Sequence, residues 1–363
     1  MAATAKSTSF YPEYRPHGRA HSPLVIPTHR RVETFAALIH CSSMLLLPCL
    51  YFFLWTREAF WPFLITYTIF SYILDDTQSM GNSIYRTSSW FKKQFIFRKF
   101  VDYFPRFLDK EEKIGPRYLF TAHPHGVISF GITAALLPSH TLKSSKSFRS
   151  LFPGISVHLL TLPTQFLIPF YRDYIMALGV GLVTKAGITS ILRRNHSVAI
   201  VVGGAHESLF ARPGMNRIVL NRRKGFIKLA DVAIVPVYVY GENNVHKVYN
   251  TTEQPNGKNS KTLKTFLNLQ LLLKKYTGFT LPLVNSRSIF NYDFGLLPYK
   301  RRMDVITGKP IYIYRMFNNS IGDKVTEEEI NYYHEMYKAN LIELWEKNKS
   351  FATEWDEKLK IVE

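Results

Sequence analysis

The chain has 363 residues, 46% hydrophobic, 15% aromatic and 20% charged, which excludes a disordered polymer and is greasier than most soluble enzymes. Its 46 Lys and Arg against 27 Asp and Glu leave a formal charge of +19, a surplus that suits nucleic acid, an acidic membrane face or a phosphorylated small molecule. Nucleic acid is set aside, because no helix-turn-helix spacing, RNA-binding sheet motif or zinc-finger ligand set occurs.

Residues 1–33 are polar and Pro-rich and carry Arg15, Arg19, Arg30 and Arg31. From Thr34 to Trp55 runs "TFAALIHCSSMLLLPCLYFFLW", 22 residues without Lys, Arg, Asp or Glu. As a helix it reaches about 33 Å, against a hydrocarbon core of about 30 Å. It starts too far from Met1, and lacks a small-residue cleavage site, to read as a signal peptide. After "TREA" comes "FWPFLITYTIFSYIL" (Phe60–Leu74), 15 residues and about 22 Å as a helix, short for a span. Four intervening residues force two such helices to fold back on each other. Basic residues on both outer flanks, including Arg86, Lys92, Lys93, Arg98 and Lys99, direct both ends to the cytosol. The expectation is a membrane-embedded hairpin over 34–75, spanning twice or dipping into one leaflet, with Pro48 and Pro62 as kinks. A buried hairpin of a soluble core is the blander alternative. Cys41 and Cys49, the two cysteines, both fall in the first run; they suggest neither a disulfide framework nor a metal site.

Residues 76–363 read as one globular domain without repeats, with a polar turn-rich loop at 251–261 ("TTEQPNGKNSK"). Apolar β-rich runs end in glycine and turn into helical patterns: "RYLFTAHPHG" into "VISFGITAALL", and "SVAIVVGG" into "AHESLF". "AIVPVYVYGE" follows an apparent helix, "RRKGFIKLADV", and "RMDVITGKPIYI" resembles a strand pair bent at Gly308. Residues 325–349 form a helix with an acidic first turn and a basic last turn. Such alternation predicts an α/β fold, a mostly parallel sheet flanked by helices on both faces. Ligands of such sheets sit at the carboxyl ends of the strands, which is where "HPHG" and "GGAHES" fall.

His123 and His125 sit two apart on an extended segment, so one imidazole could act as a base near neutral pH while the other orients. Pro124 stiffens the corner and Gly126 lets the backbone approach a ligand. A strand end with capping histidines explains an isolated His-x-His as well. A zinc pair finds no further ligands, so no metal is expected. Gly203 and Gly204 expose backbone N–H groups, and Glu207 behind them can orient a histidine or bind a hydroxyl; an ordinary strand-to-helix turn is the alternative. Arg222, Arg223 and Lys224, beside Gly225 at an apparent helix start, suit phosphate groups, though a solvated basic face would look the same.

Taken in order, "DYFP" (102–105), "AHPHG", "PFYRDYIMALG" (169–179), "GGAHES", the run from "RKGF" to "IVPVYVYGEN", "LPYKRRMDVITGKPI" (297–311) and the closing "YHEMYKANLIELWEKNK" resemble the type 2 acyl-CoA:diacylglycerol acyltransferase family. That family also holds monoacylglycerol and wax-ester acyltransferases, and the resemblance covers roughly residues 30–350. It implies a glycerolipid-acyltransferase-like fold and transfer of a fatty acyl group from acyl-CoA, a co-substrate beside which no cofactor is needed. The acceptor is the hydroxyl of diacylglycerol, with monoacylglycerol or a fatty alcohol as the alternatives. Endoplasmic reticulum membrane and lipid droplet are the implied locations, membrane lipid a partner, and a homo-oligomer is compatible. A histidine of "HPHG" is then the expected general base, His125 because it adjoins the helix start or else His123, in a direct transfer without a covalent acyl-enzyme. The wider glycerolipid acyltransferases use His-x4-Asp, but Ile128 and Phe130 stand where that aspartate would be. Glu207 is therefore the candidate orienting acid, Gly126, Gly203 and Gly204 the oxyanion donors, and Arg222, Arg223 and Lys224 the contacts for the CoA phosphates. A non-catalytic scaffold on membranes or lipid droplets is the rival outside enzymes; it leaves "HPHG" and "GGAHES" without a purpose.

Overall fold

The structure, a computed structural model, describes residues 26–77, 82–104, 106–110, 117–137, 148–229, 232–249, 283–289, 294–313, 326–353 and 356–362, with isolated positions between 265 and 272. Most of the polar N-terminal segment and the loop at 251–261 lie outside the described residues.

The apolar N-terminal run forms α1 (Thr28–Trp55), begun several residues before the charge-free stretch. It can start there because its polar residues have partners: Glu33 pairs with Lys300, and Thr34 Oγ1 accepts from Arg287 at 3.1 Å. The second run forms α2 (Trp61–Ile69) and a π-helical turn, Phe70–Leu74. Pro62 occupies the first turn of α2, where its missing N–H leaves no bond unmade, so the kink expected there is a helix start instead. The fold-back is held by Trp61 Nε1–H donating to Trp55 O at 2.9 Å and by Tyr51 and Thr68 hydroxyls 2.7 Å apart. Then follow α3 (Ser89–Lys92) and α4 (Phe95–Tyr103). The two halves of α1 differ. Ala36 and Ala37 are fully buried where α1 lies along α4, whereas Leu45, Leu46, Leu50, Phe52 and Phe53 are exposed. Among the described residues α1 alone is long and apolar enough to cross a membrane.

The remaining helices are α5 (Phe130–Leu136), α6 (Phe148–Leu151), α7 (Tyr171–Ala177), α8 (Lys185–Arg193), α9 (Gly204–Glu207) and the C-terminal helix Glu327–Lys347. An ionic cluster ties the hairpin to α7. Arg172, fully buried, meets Asp75 at 3.0 Å, and Arg86 meets Asp173 at 2.9 Å. The Tyr67 hydroxyl donates to Asp173 at 2.7 Å and accepts from Phe170 N at 2.8 Å.

The strands are β1 (Arg106–Lys110), β2 (Tyr118–His123), β3 (Val157–Thr161), β4 (Gly181–Leu182), β5 (Ser197–Val201), β6 (Arg217–Val219), β7 (Ala233–Tyr240), β8 (Lys247–Tyr249), β9 (Leu283–Asn285), β10 (Met303–Thr307) and β11 (Lys360–Val362). The main sheet runs β1-β10-β7-β2-β5-β3-β4. Its pairs are parallel except β10 against β7. Outside it, β6 pairs with β11 and β8 with β9. Alternation along β2 sends Phe120 and Leu119 to opposite faces: Phe120 belongs to the core cluster that holds Phe130, Val235 and Val237, Leu119 to the one that holds Ile200, Ile234 and Tyr337. The second face is covered by the C-terminal helix, which opens on a capping box of Thr326 and Glu329.

Two expectations are corrected. Among the described residues 308–313 no second strand follows β10; Ile311 makes an isolated bridge to Ile234. The "RRKGFIKLADV" run holds no α-helix over its described residues, only a 3-10 turn at Ile227–Leu229, so Arg222–Lys224 do not head a helix.

Candidate functional site

β2 and β5 are adjacent and parallel, with Ala122 opposite Val201. "HPHG" and "GGAHES" thus leave the sheet side by side at its carboxyl edge, although about 80 residues separate them in sequence. Between β2 and α5 the chain makes a tight corner: the His123–Pro124 peptide is cis, and Gly126 and Ser129 lie at φ 57° and 59°.

The two histidines have different surroundings. His123 is fully buried. Its Nε2 lies 2.9 Å from the Tyr337 hydroxyl, which donates to Thr121 Oγ1 at 2.8 Å, and Thr121 donates in turn to Val235 O at 3.1 Å. With both hydroxyl protons committed, the Nε2 of His123 must carry the hydrogen donated to Tyr337. Its Nδ1 has no partner among the described residues, and burial pushes the imidazole down to about 3. His125 is half-buried. Its Nδ1 lies 3.1 Å from Gly126 O; a carbonyl only accepts, so Nδ1 holds the proton and Nε2 the lone pair. Burial also lowers the His125 pKa, against the opposing bond to Gly126, which keeps the ring neutral.

Two buried carboxylates brace this corner through its main chain. Glu207 Oε1 accepts from His125 N at 2.5 Å, and Oε2 from Val219 N at 2.9 Å. The carboxylate expected on an imidazole nitrogen is therefore on the backbone of His125. Gly203 makes room for it, since a Cβ there would stand 1.7 Å from Glu207 Oε2. From the other side Glu242, after β7, accepts from Phe130 N at 2.8 Å and Gly131 N at 2.7 Å. A Cβ on Gly126 would meet Glu242 Cγ at 2.7 Å. Burial pushes both carboxyls up to about 7, against the N–H bonds that favour the anion.

The basic cluster does not converge. Arg223 reaches Gly203 O at 3.3 Å, Arg222 is exposed, and Lys224 donates to Asn331 of the C-terminal helix at 2.6 Å. Gly204, at φ 62°, opens α9 beside the Arg223 guanidinium. Among the described residues no group of three or more His, Cys, Asp or Glu could hold a metal ion.

Sequence reasoning missed Tyr337, Thr121 and Glu242. Tyr337 is spaced at helical intervals from Tyr333 and Leu341 and looks like plain core. Glu242 carried a usable signal, an acid directly after a continuous apolar strand and a glycine.

The family model described as "Diacylglycerol acyltransferase" matches residues 52–362. Diacylglycerol O-acyltransferase 1 of Eremothecium gossypii is 34% identical, over 95% of this chain and 82% of its own. 2-acylglycerol O-acyltransferase 1 of Bos taurus is 34% identical, over 90% of this chain and 94% of its own. Among solved structures, the 1-acyl-sn-glycerophosphate acyltransferase PlsC of Thermotoga maritima aligns with 87% of this chain and 97% of its own, at 12% identity and a TM-score of 0.37, too slight a likeness to argue from.

Proposed function

Since the chain belongs to the diacylglycerol acyltransferase family and is an acyltransferase, we propose that it moves a fatty acyl group from acyl-CoA to the free hydroxyl of diacylglycerol, with His125 as general base. The observation that carries this reading is the neutral His125 ring, with Nδ1 tied to Gly126 O and the lone pair left on Nε2. Nε2 takes the proton of the acceptor hydroxyl as its oxygen bonds to the thioester carbon. When the C–S bond breaks, the imidazolium returns that proton to the departing thiolate, leaving triacylglycerol and CoA. General-base help of this kind is worth about 10²–10⁴-fold.

No acyl-enzyme is required: Cys41 and Cys49 lie on α1, and the Ser129 hydroxyl donates to His125 O at 2.9 Å. His123, held by Tyr337, positions the end of β2 rather than taking the proton. Glu207 acts by fixing the His125 backbone. Backbone N–H groups at Gly126 or Gly203–Gly204 are the oxyanion donors. Arg222 and Arg223 are better disposed than Lys224 for the CoA phosphates, and no cofactor is needed beside this co-substrate.

The same reading assigns 1–33 to a cytosolic segment, 34–75 to a membrane hairpin and 76–363 to the catalytic domain. Both termini face the cytosol at the endoplasmic reticulum or a lipid droplet. The exposed apolar part of α1, Leu45–Trp55, is about 16 Å long, roughly half the hydrocarbon thickness, which favours a wedge in one leaflet. The match to a 2-acylglycerol O-acyltransferase supports monoacylglycerol as a second acceptor. Microsomes given labelled acyl-CoA with diacylglycerol, monoacylglycerol, a long-chain alcohol or lysophosphatidate test both points. Diacylglycerol is expected to be the fastest acceptor, and His125→Ala to cost at least a hundredfold with every acceptor. Equal rates for wild type and His125→Ala would end the assignment of the base.

A further inference from the structure

The outward positions of α4 recur every three or four residues and change in kind along the helix. Phe95 is 54% exposed. One turn on stand Arg98 and Lys99, the Lys99 ammonium 5.6 Å from the centre of the Phe95 ring. Asp102, a further turn on, pairs with Lys99 at 3.2 Å. Phe97, Phe100 and Val101, on the other side, are buried where α4 lies along α1. The direction of the series is fixed by α1. Tyr103, at the end of α4, accepts from Arg287 at 3.2 Å, and Arg287 also reaches Thr34 near the start of α1. Phe100 and Phe97 stand beside His40, with ring centroids 4.2 and 6.5 Å away. Phe95 therefore lies toward Leu45, about 7.5 Å beyond His40 along α1, where the exposed apolar half begins. α3 shares this level: Phe91 packs on Phe97 at 4.9 Å and on Tyr174 at 5.9 Å, and Tyr174 bonds to His40. Its Trp90 is 74% exposed, and Lys93 just after it is exposed as well. Neither Lys93 nor Arg98 has an ion-pair partner among the described residues.

From the base of the apolar hairpin outward the order is thus aromatic, cationic, acidic, over about 10 Å. A leaflet presents the matching order: acyl tails, then about 6 Å of glycerol and phosphate groups, then water. We propose that α3 and the first turns of α4 form a collar that docks on an anionic phospholipid surface, with Trp90 and Phe95 at the glycerol level and Lys93 and Arg98 on the charged head groups. An indole at that depth buries its ring and keeps its N–H among polar groups. Two unpaired cations favour an anionic over a zwitterionic surface. The exposed half of α1 carries no charge from Leu45 to Trp55, so it cannot supply that preference itself. The inference rests on the membrane reading of the hairpin and adds what sets its depth and its choice of lipid.

The test uses the full chain purified in detergent and transferred to vesicles of phosphatidylcholine, alone or with about 20% phosphatidylserine. A fluorophore is attached at Ser89→Cys, Phe53→Cys or Tyr332→Cys, each in a chain carrying Cys41→Ser and Cys49→Ser, and spin labels on the lipid head group or acyl chain quench it. Head-group quenching is expected beside Trp90, acyl-chain quenching at Phe53→Cys, and none at Tyr332→Cys on the C-terminal helix. Quenching at Phe53→Cys with none at Ser89→Cys overturns the collar and leaves the hairpin in place; quenching at neither ends both readings. Competition between the two vesicle types reads the charges. Wild type should favour the serine lipid by at least about fivefold at low salt, and Lys93→Gln with Arg98→Gln should cut that ratio at least about threefold. Lys349→Gln with Lys360→Gln, an equal loss of charge beyond the other face of the sheet, should leave it unchanged. Equal effects of the two pairs assign the preference to the net charge of the chain and overturn the proposal, as does a wild type indifferent to the serine lipid.

Discussion

Tyr337→Phe removes one oxygen from the centre of the fold and tests how the catalytic corner is held. The phenol joins His123 Nε2 at 2.9 Å to Thr121 Oγ1 at 2.8 Å, in a place with no exposure for any of the three side chains. Without it the Nε2–H of His123 has no acceptor, and moving the proton to Nδ1 brings no relief because that nitrogen also lacks a partner among the described residues. A buried donor stranded in this way costs about 1–3 kcal/mol. Thr121 keeps its bond to Val235 O, so its share of the loss is small. The expected total is about 2 kcal/mol, or roughly 3 °C in the melting temperature of the detergent-purified protein. Acyl transfer should slow with little change in KM for acyl-CoA, since the tyrosine acts through the end of β2. Thr121→Val alone should cost less, and the pair should be non-additive by about 0.5–1.5 kcal/mol. A Tyr337→Phe protein that melts with wild type would show that His123 is not held by the phenol, and the division of roles between the histidines would fall with it.

Gly203→Ala should abolish most activity and destabilise by about 1–3 kcal/mol, because its Cβ would stand 1.7 Å from Glu207 Oε2 and drive that carboxylate off the His125 backbone; a variant with wild-type rate would contradict this packing. Glu207 and Glu242, raised to about 7 from the ordinary 4.5, bind protons more tightly folded than unfolded. Their stabilising share is complete below about 4.5 and is lost as pH rises through about 7, by about 3 kcal/mol per group. Glu207→Gln and Glu242→Gln should therefore gain on wild type in thermal melts as pH goes from 5 to 8, and a flat difference would refute the raised values. His123 and His246, lowered to about 3 and about 4, have the opposite sign and lose stability as pH falls below 6.5, so they cancel in that comparison. Asp75→Asn removes a carboxylate from the fully buried Arg172 and should cost about 3–5 kcal/mol, read as faster proteolysis between hairpin and domain; unchanged cleavage would mean that the cluster does not hold them together.

The parallel strands and the meeting of "HPHG" with "GGAHES" were legible because continuous apolar runs ending in glycine report strands buried on both faces. Side-chain roles were not. Nothing in the spacing of Glu207 distinguishes a carboxylate on a ring nitrogen from one on a backbone N–H, since both need only a short reach from the neighbouring strand. Tyr337 and Thr121 reach His123 through pairings between segments more than 200 residues apart, which no local pattern encodes. Arg222–Lys224 misled because a basic run before an apolar one looks like a helix start, whereas Gly225 and the tight 3-10 turn at Ile227 let Lys224 turn towards the C-terminal helix.

The uneven burial of α1 bears on where the chain can reside under the membrane reading proposed above. Its inner half is fastened to the catalytic domain, and its exposed apolar half reaches no deeper than a single layer of acyl tails. At its far end the exposed Arg57 and Glu58 call for water or polar head groups. An oil droplet bounded by one phospholipid layer offers the wedge the same depth of apolar material as one leaflet of a bilayer, at nearly the same free energy. Passage from a bilayer to the coat of a droplet growing out of it then becomes lateral diffusion, with Arg57 and Glu58 carried at the same depth throughout.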